Sequence, residues 1–151
     1  MDAEVYPDPK IAGFVSDHFI PVRQHVKTHP EAMERFGAQW TPTIMVMDPG
    51  GKERHRVEGF VEADALLAQL KLGLAQASLA SQNYDEAERL FEEVVSGGDA
   101  DTAPEAAYWA GVTRYKRSGD ASALGETHKR LSTDYAGSTW AKKAAIWGGG
   151  P

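Results

Sequence analysis

Strand-forming sequence in this 151-residue chain stops at about residue 60, and everything beyond it reads as helix. Past Val61 the apolar positions recur at helical spacing, beginning with the stripe Leu66, Leu67, Leu70 and Leu74. A chain divided in this way cannot close one continuous sheet. It predicts a mixed α/β segment over 1–62, an all-α region over 63–147 and a flexible glycine tail over 148–151.

Composition narrows the function classes. At 42% hydrophobic residues the chain is too apolar to stay disordered. No uncharged apolar run approaches the ~20 residues of a membrane span. No charged segment followed by an apolar core opens the chain, so no export signal is visible and a cytoplasmic location is expected, or a periplasmic one if the true start lies upstream. A net charge of -6 argues against a general nucleic-acid binder, which needs a basic patch. Cysteine is absent, which excludes disulfides, thiolate metal sites and every cysteine-based mechanism within these residues.

In the first segment Asp8-Pro9 opens a helix carrying Ile11, Phe14 and Val15. His18 to Val26 is short, β-branched and roughly alternating, which predicts a strand, with Pro21 at its start or on an unpaired edge. Thr28 with Glu31 forms a capping box, and the helix it opens stops at Gly37. Thr43 to Met47 is a near-continuous apolar run, Asp48-Pro49-Gly50-Gly51 a strong turn, and Lys52 to Val57 a weak alternation, together a β-hairpin. In the second region, helices are expected over Tyr84 to Val95, capped by Asn83 with Glu86, and over Ala106 to Arg117, capped by Thr102 with Glu105. Two more are expected, one over about Ser122 to Thr133 and, after a break at Gly137-Ser138, a last short one through Trp147.

Other chemistry finds little support. His25 and His29 are four apart, a zinc-gripping spacing on one helix, but Pro30 interrupts it and no third ligand is placed near His18, so no metal is expected. Arg54, His55 and Arg56 read as the solvent face of an edge strand, where charge discourages aggregation. No nucleophile elbow and no phosphate-binding glycine loop occurs, Glu92-Glu93 reads as a solvated helix face, and no cofactor is expected.

Tyr84-Asp85-Glu86-Ala87 followed by Phe91 resembles the second helix of a tetratricopeptide (TPR) repeat, with Leu74 and Ala75 at the packing pair of the first. Tyr108, Gly111, Val112, Tyr115 and Gly119 resemble a second unit, and Ala87 and Leu124 stand 37 residues apart, near the ~34-residue period. Tyr135-Ala136-Gly137-Ser138 resembles the stop of envelope-associated repeats. The pattern is broken where Leu124 and His128 replace an alanine and an aromatic. The resemblance implies TPR-like helical hairpins with Ala87, Phe91, Gly111 and Tyr115 as packing positions, and a concave face for a polypeptide partner. The same residues also read simply as the core of a helical bundle.

Trp40-Thr41-Pro42-Thr43 before an apolar strand, then Asp48 to Lys52, then Val57-Glu58-Gly59-Phe60, resembles the carboxyl half of a thioredoxin domain. The family pattern implies a cis Pro42 facing the active site, peptide pairing with the backbone before it, and Gly59 as the structural glycine ahead of the last helix. Trp40, Thr41, Pro42 and Thr43 would then contact a polypeptide, although a packing role for Trp40 stands beside this. Met1 to Pro9 resembles the stretch carboxyl-terminal to the redox Cys-x-x-Cys in a subgroup of the family, which would place that motif and the central strand of the sheet before Met1. The implied fold is α/β thioredoxin-like, incomplete, with that central strand missing. Each backbone group left unpaired in an apolar setting would cost ~1–3 kcal/mol, and several together rival a domain's stability of ~5–15 kcal/mol.

Three resolutions are open: Met1 is internal to a longer protein, another chain donates a strand or the inner strands pair directly, or a redox site was lost and a binding remnant kept. The first implies part of a thiol–disulfide oxidoreductase or folding factor, inactive as given; the last implies a non-catalytic peptide-binding module. Unpaired inner strands also predict homo-oligomerisation or strand exchange.

Overall fold

A computed structural model describes residues 1–149, in two compact units, Met1–Leu67 and the remainder from Ala68. Its elements are α1 (Pro9–His18), α2 (Glu31–Arg35), β1 (Thr43–Met47), β2 (Glu53–Glu58), α3 (Ala63–Ala80), α4 (Tyr84–Gly97), α5 (Ala103–Ser118), α6 (Ser122–Asp134) and α7 (Thr139–Ala144), which runs into a 3₁₀ turn, Ala145–Trp147. The unit boundary falls inside α3. Among the described residues no helix is long and apolar enough to cross a membrane.

The first unit obeys its local signals in most places. Asp8 accepts a hydrogen bond from the Lys10 amide at 2.8 Å, and Pro9 then fits the first turn of α1. β1 and β2 form an antiparallel hairpin, pairing Thr43 with Glu58 and Val46 with His55. Val5, Ile11, Val46, Val57 and Leu66 are buried.

One expected strand is absent. Phe19 to His25 has no ladder partner, and the sheet of the described residues has two strands only. β-branching makes an extended conformation comfortable, but a strand exists only when a neighbour supplies hydrogen bonds. Ile20 and Val22 are 93% and 78% exposed as a result. The Thr28 capping box also fails: α2 begins at Glu31 behind Pro30, and the Thr28 hydroxyl donates to the His25 carbonyl instead.

In the second unit Leu72, Ala75 and Leu79 of α3 cluster with Ala87, Leu90, Phe91 and Val94 of α4 and with Ala106 and Ala110 of α5. A second cluster joins Ala107, Leu131, Ala141 and Ala144, with Tyr108, Trp140 and Trp147 packed against it. Ala87 and Phe91 are fully buried, whereas Tyr115 is 38% exposed. Neither Asn83 nor Thr102 caps through its side chain: Asn83 bonds the Glu86 carboxylate, and Thr102 donates from both its amide and its hydroxyl to Asp99. Asp99 closes the turn that leads into α5: its carboxylate also accepts from the Asp101 amide, and its carbonyl accepts from the Ala103 amide. Of the glycine tail expected over 148–151, Gly148 is exposed and lies against the His128 ring, while Gly150 and Pro151 lie outside the described residues.

Two devices tie α4, α5 and α6 together. Gly111 lets α5 approach α6 so closely that a Cβ there would lie 2.6 Å from Cβ and Cγ2 of Thr127. On the solvent side Glu92 accepts from Arg114 at 2.9 Å and, in fork geometry, from Arg130 at 2.8 and 3.0 Å. Partial burial pushes the Glu92 carboxyl up, but the bonds and charges of Arg130 and Arg114 outweigh it and hold it below the usual range.

Gly111→Ala should destabilise the second unit by about 1–3 kcal/mol through overpacking. Gly125→Ala, at an open site within α6, should be neutral or gain up to about 1 kcal/mol of helix propensity. Urea denaturation of both variants checks the pair. Because Glu92 titrates lower folded than unfolded, its stabilisation is complete above its unfolded value of about 4.3 and fades as pH falls through the lower folded value. Glu92→Gln should therefore flatten that part of the curve of stability against pH, read from thermal melts.

Candidate functional site

The site is assembled at the entry to β1. After α2 the chain turns on Gly37, at φ +60°, with the Gly37 amide bonded to the Glu34 carbonyl and the Ala38 amide to that of Met33. That double closure is a Schellman motif, which fixes the direction in which the chain leaves the helix. It delivers Trp40 to the surface, 66% exposed. The Thr43 hydroxyl donates to the Trp40 carbonyl at 2.6 Å, which closes the tetrad into a tight bend. Thr41 is exposed, the Thr41–Pro42 peptide is cis, and Pro42 is half-buried.

Gly59 completes the bend from the other strand. Its amide donates to the Pro42 carbonyl at 2.8 Å, one step beyond the Thr43–Glu58 pair, and its φ of +85° is open to glycine at little cost. Phe60 comes next, 56% exposed.

Arg56 holds this end of the hairpin, a role that its reading as a solvent-facing residue does not foresee. Its guanidinium donates to the carbonyls of Phe36 and Gly37 at the end of α2, to Glu53 and to Met45 Sδ. A cation at the carbonyl end of a helix is favourably placed. The bond to Glu53 leads the effects that raise its already high basicity. Arg54 pairs with Asp48 at 2.8 Å across the turn. The Lys52 amide and then Arg54 hold the Asp48 carboxyl below its usual range. Arg54, His55 and Arg56 are all half-buried, so the expectation of a solvent-facing basic run is corrected. The available signal was the spacing of Arg54, Arg56 and Glu58, which places charged side chains on one face of a strand and invites cross-linking to a neighbouring element.

The chemistry available here is that of a backbone edge. No thiol exists in the chain, and no group of three or more His, Asp or Glu among the described residues could hold a metal. His18 packs its ring on Phe14, the His25 ring accepts from the Lys27 amide, and His29 is bonded to Thr28. β1 has β2 as its one ladder partner among the described residues. Pro42 faces β2, so by antiparallel alternation Thr43 and Met45 turn their N–H and C=O groups to the open side. No charged residue occurs from Ala38 to Met47.

Gly59→Ala has space for its methyl but would force a left-handed conformation on an L residue. It should cost about 1–2 kcal/mol and loosen the Pro42 end of the hairpin, measured as a lower melting temperature and faster amide exchange at residue 59.

Residues 1–73 match the family model for a thioredoxin-like domain. No curated protein and no solved structure matches the chain significantly. With the hairpin and the bend that precedes it, the match supports a thioredoxin-like domain in the amino-terminal segment of this protein, followed by helices.

Proposed function

We propose that the thioredoxin-like segment is part of a thiol–disulfide oxidoreductase or folding factor whose Cys-x-x-Cys lies upstream of these residues, and that it handles polypeptide at Trp40, Thr41, Pro42 and Thr43. The carrying observation is the open side of β1 beside an exposed Trp40. A chain without cysteine has no group of its own to exchange with a disulfide, so the part it plays is positional. Thr41 offers its backbone, Trp40 an apolar surface, and Arg56 with Gly59 keeps both in place. An apolar strand seated against Thr43 and Met45 would satisfy the open groups of β1 and carry the redox motif to the Pro42 bend.

A second reading keeps the same edge and drops the redox role: a binding module that holds extended chains at β1, with TPR-like hairpins from α3 to α6 offering a further face. It is favoured by the cysteine-free composition and by the close α5–α6 approach at Gly111, where TPR-like packing calls for a small residue.

Insulin reduction separates the two. The 151-residue chain should show no turnover. The same chain extended at its amino end by an apolar strand ending in Cys-x-x-Cys should gain it. Turnover without the extension, or none with it, defeats the oxidoreductase reading. Trp40→Ala should weaken binding of a short, end-blocked peptide of alternating Val and Thr by about tenfold, as expected for losing about 1.4 kcal/mol or more of aromatic burial. Unchanged affinity by calorimetry would remove the edge from both readings.

A further inference from the structure

The two outer edges of the hairpin are built differently. β2 reads Glu-Arg-His-Arg-Val-Glu, so its free edge is lined with charge, which is how natural sheets resist pairing with other chains. β1 reads Thr-Ile-Met-Val-Met and has no charge, proline or glycine to guard it. Its outward backbone groups belong to Thr43 and Met45, because Pro42 and Ile44 face β2.

These facts limit how β1 can pair with an identical strand. An antiparallel pair of hydrogen-bonding type must match outward residues with outward residues. Two-fold registers centred on Thr43, Ile44 or Met45 all satisfy this; in the one centred on Ile44, Thr43 lies opposite Met45 of the second copy and Met45 opposite its Thr43, with the two Ile44 residues facing each other on the dyad. In that register Thr41 meets Met47, and Pro42 meets Val46 at a position that asks no amide of either. The missing N–H of Pro42 therefore costs nothing. No charge lies between Ala38 and Met47, so the dyad brings no like charges together. Trp40, 66% exposed, and Met47, 38% exposed, flank the pair and would lose apolar surface to water.

We propose that two copies of this chain associate through β1 in this register, giving a four-stranded antiparallel sheet in the order β2–β1–β1–β2 with closed two-fold symmetry. The proposal rests on the reading of β1 as an open binding edge and names its occupant when no other strand is present. An incoming strand and the second copy would compete for one set of backbone groups.

The absence of cysteine from these residues makes the test clean. Ile44→Cys, oxidised under mild conditions, should form a covalent dimer, since facing residues of a non-hydrogen-bonded pair stand about 4.5 Å apart at Cα, within disulfide reach. Thr43→Cys and Val46→Cys alone should cross-link far less. Light scattering of the unmodified chain should give a mass rising with concentration towards twice 16.4 kDa. A chain that stays at 16.4 kDa, or a dimer that Ile44→Cys fails to lock, overturns the proposal. A monomer that still binds the Val/Thr peptide overturns the dimer alone and leaves the edge reading standing. Loss of both overturns that reading as well.

Discussion

An extended backbone must place its N–H and C=O groups somewhere, and β1 places only half of them. β2 takes the groups of Pro42, Ile44 and Val46, while Thr43 and Met45 face outward. That imbalance organises the first unit. In the same unit Phe19 to His25, whose sequence suits a strand, lies unpaired, and Ile20 and Val22 are exposed. Both are consequences of a sheet too narrow to bury its own apolar sequence, since a two-stranded hairpin is marginal without further strands or a helix.

What holds the hairpin is correspondingly polar. Asp48 ties the turn to Arg54 at one end of the hairpin, and Arg56 ties β2 to the end of α2, which leads into the bend at Trp40 to Thr43, both through charge-assisted bonds. The helical unit is stabilised differently. Its main cluster sets leucines and Phe91 against small alanines where α3, α4 and α5 meet, and the Glu92 bridges to Arg130 and Arg114 lie on its half-exposed side. Such bridges add to a packing already favourable rather than create it.

Much of this could be read in advance, and the exceptions share a cause. The hairpin, its turn, the helix at Pro9 and the helices after residue 63 are set by local signals: alternation, glycine and proline punctuation, and 3.6-residue periodicity. The capping expectations at Thr28, Asn83 and Thr102 failed because each side chain found another partner: the His25 carbonyl, Glu86 and Asp99. A short polar side chain serves whichever group is nearest, and nearness is a property of the folded chain. Arg56 reads as a solvent-facing residue in the sequence for the same reason, since its partners Phe36 and Gly37 are some twenty residues away.

By itself the sequence determined where strands stop and helices begin, the bend ahead of β1, and the exclusion of thiol chemistry from these residues. These depend on torsional preference, side-chain period and residue composition, which need no distant contact. Only the tertiary structure decided that Phe19 to His25 is not a strand, that Arg56 braces the α2 end, and that one side of β1 is open. Each of those is a question of which groups meet across space, and hydrogen bonds between remote backbones are settled only when the whole chain has folded.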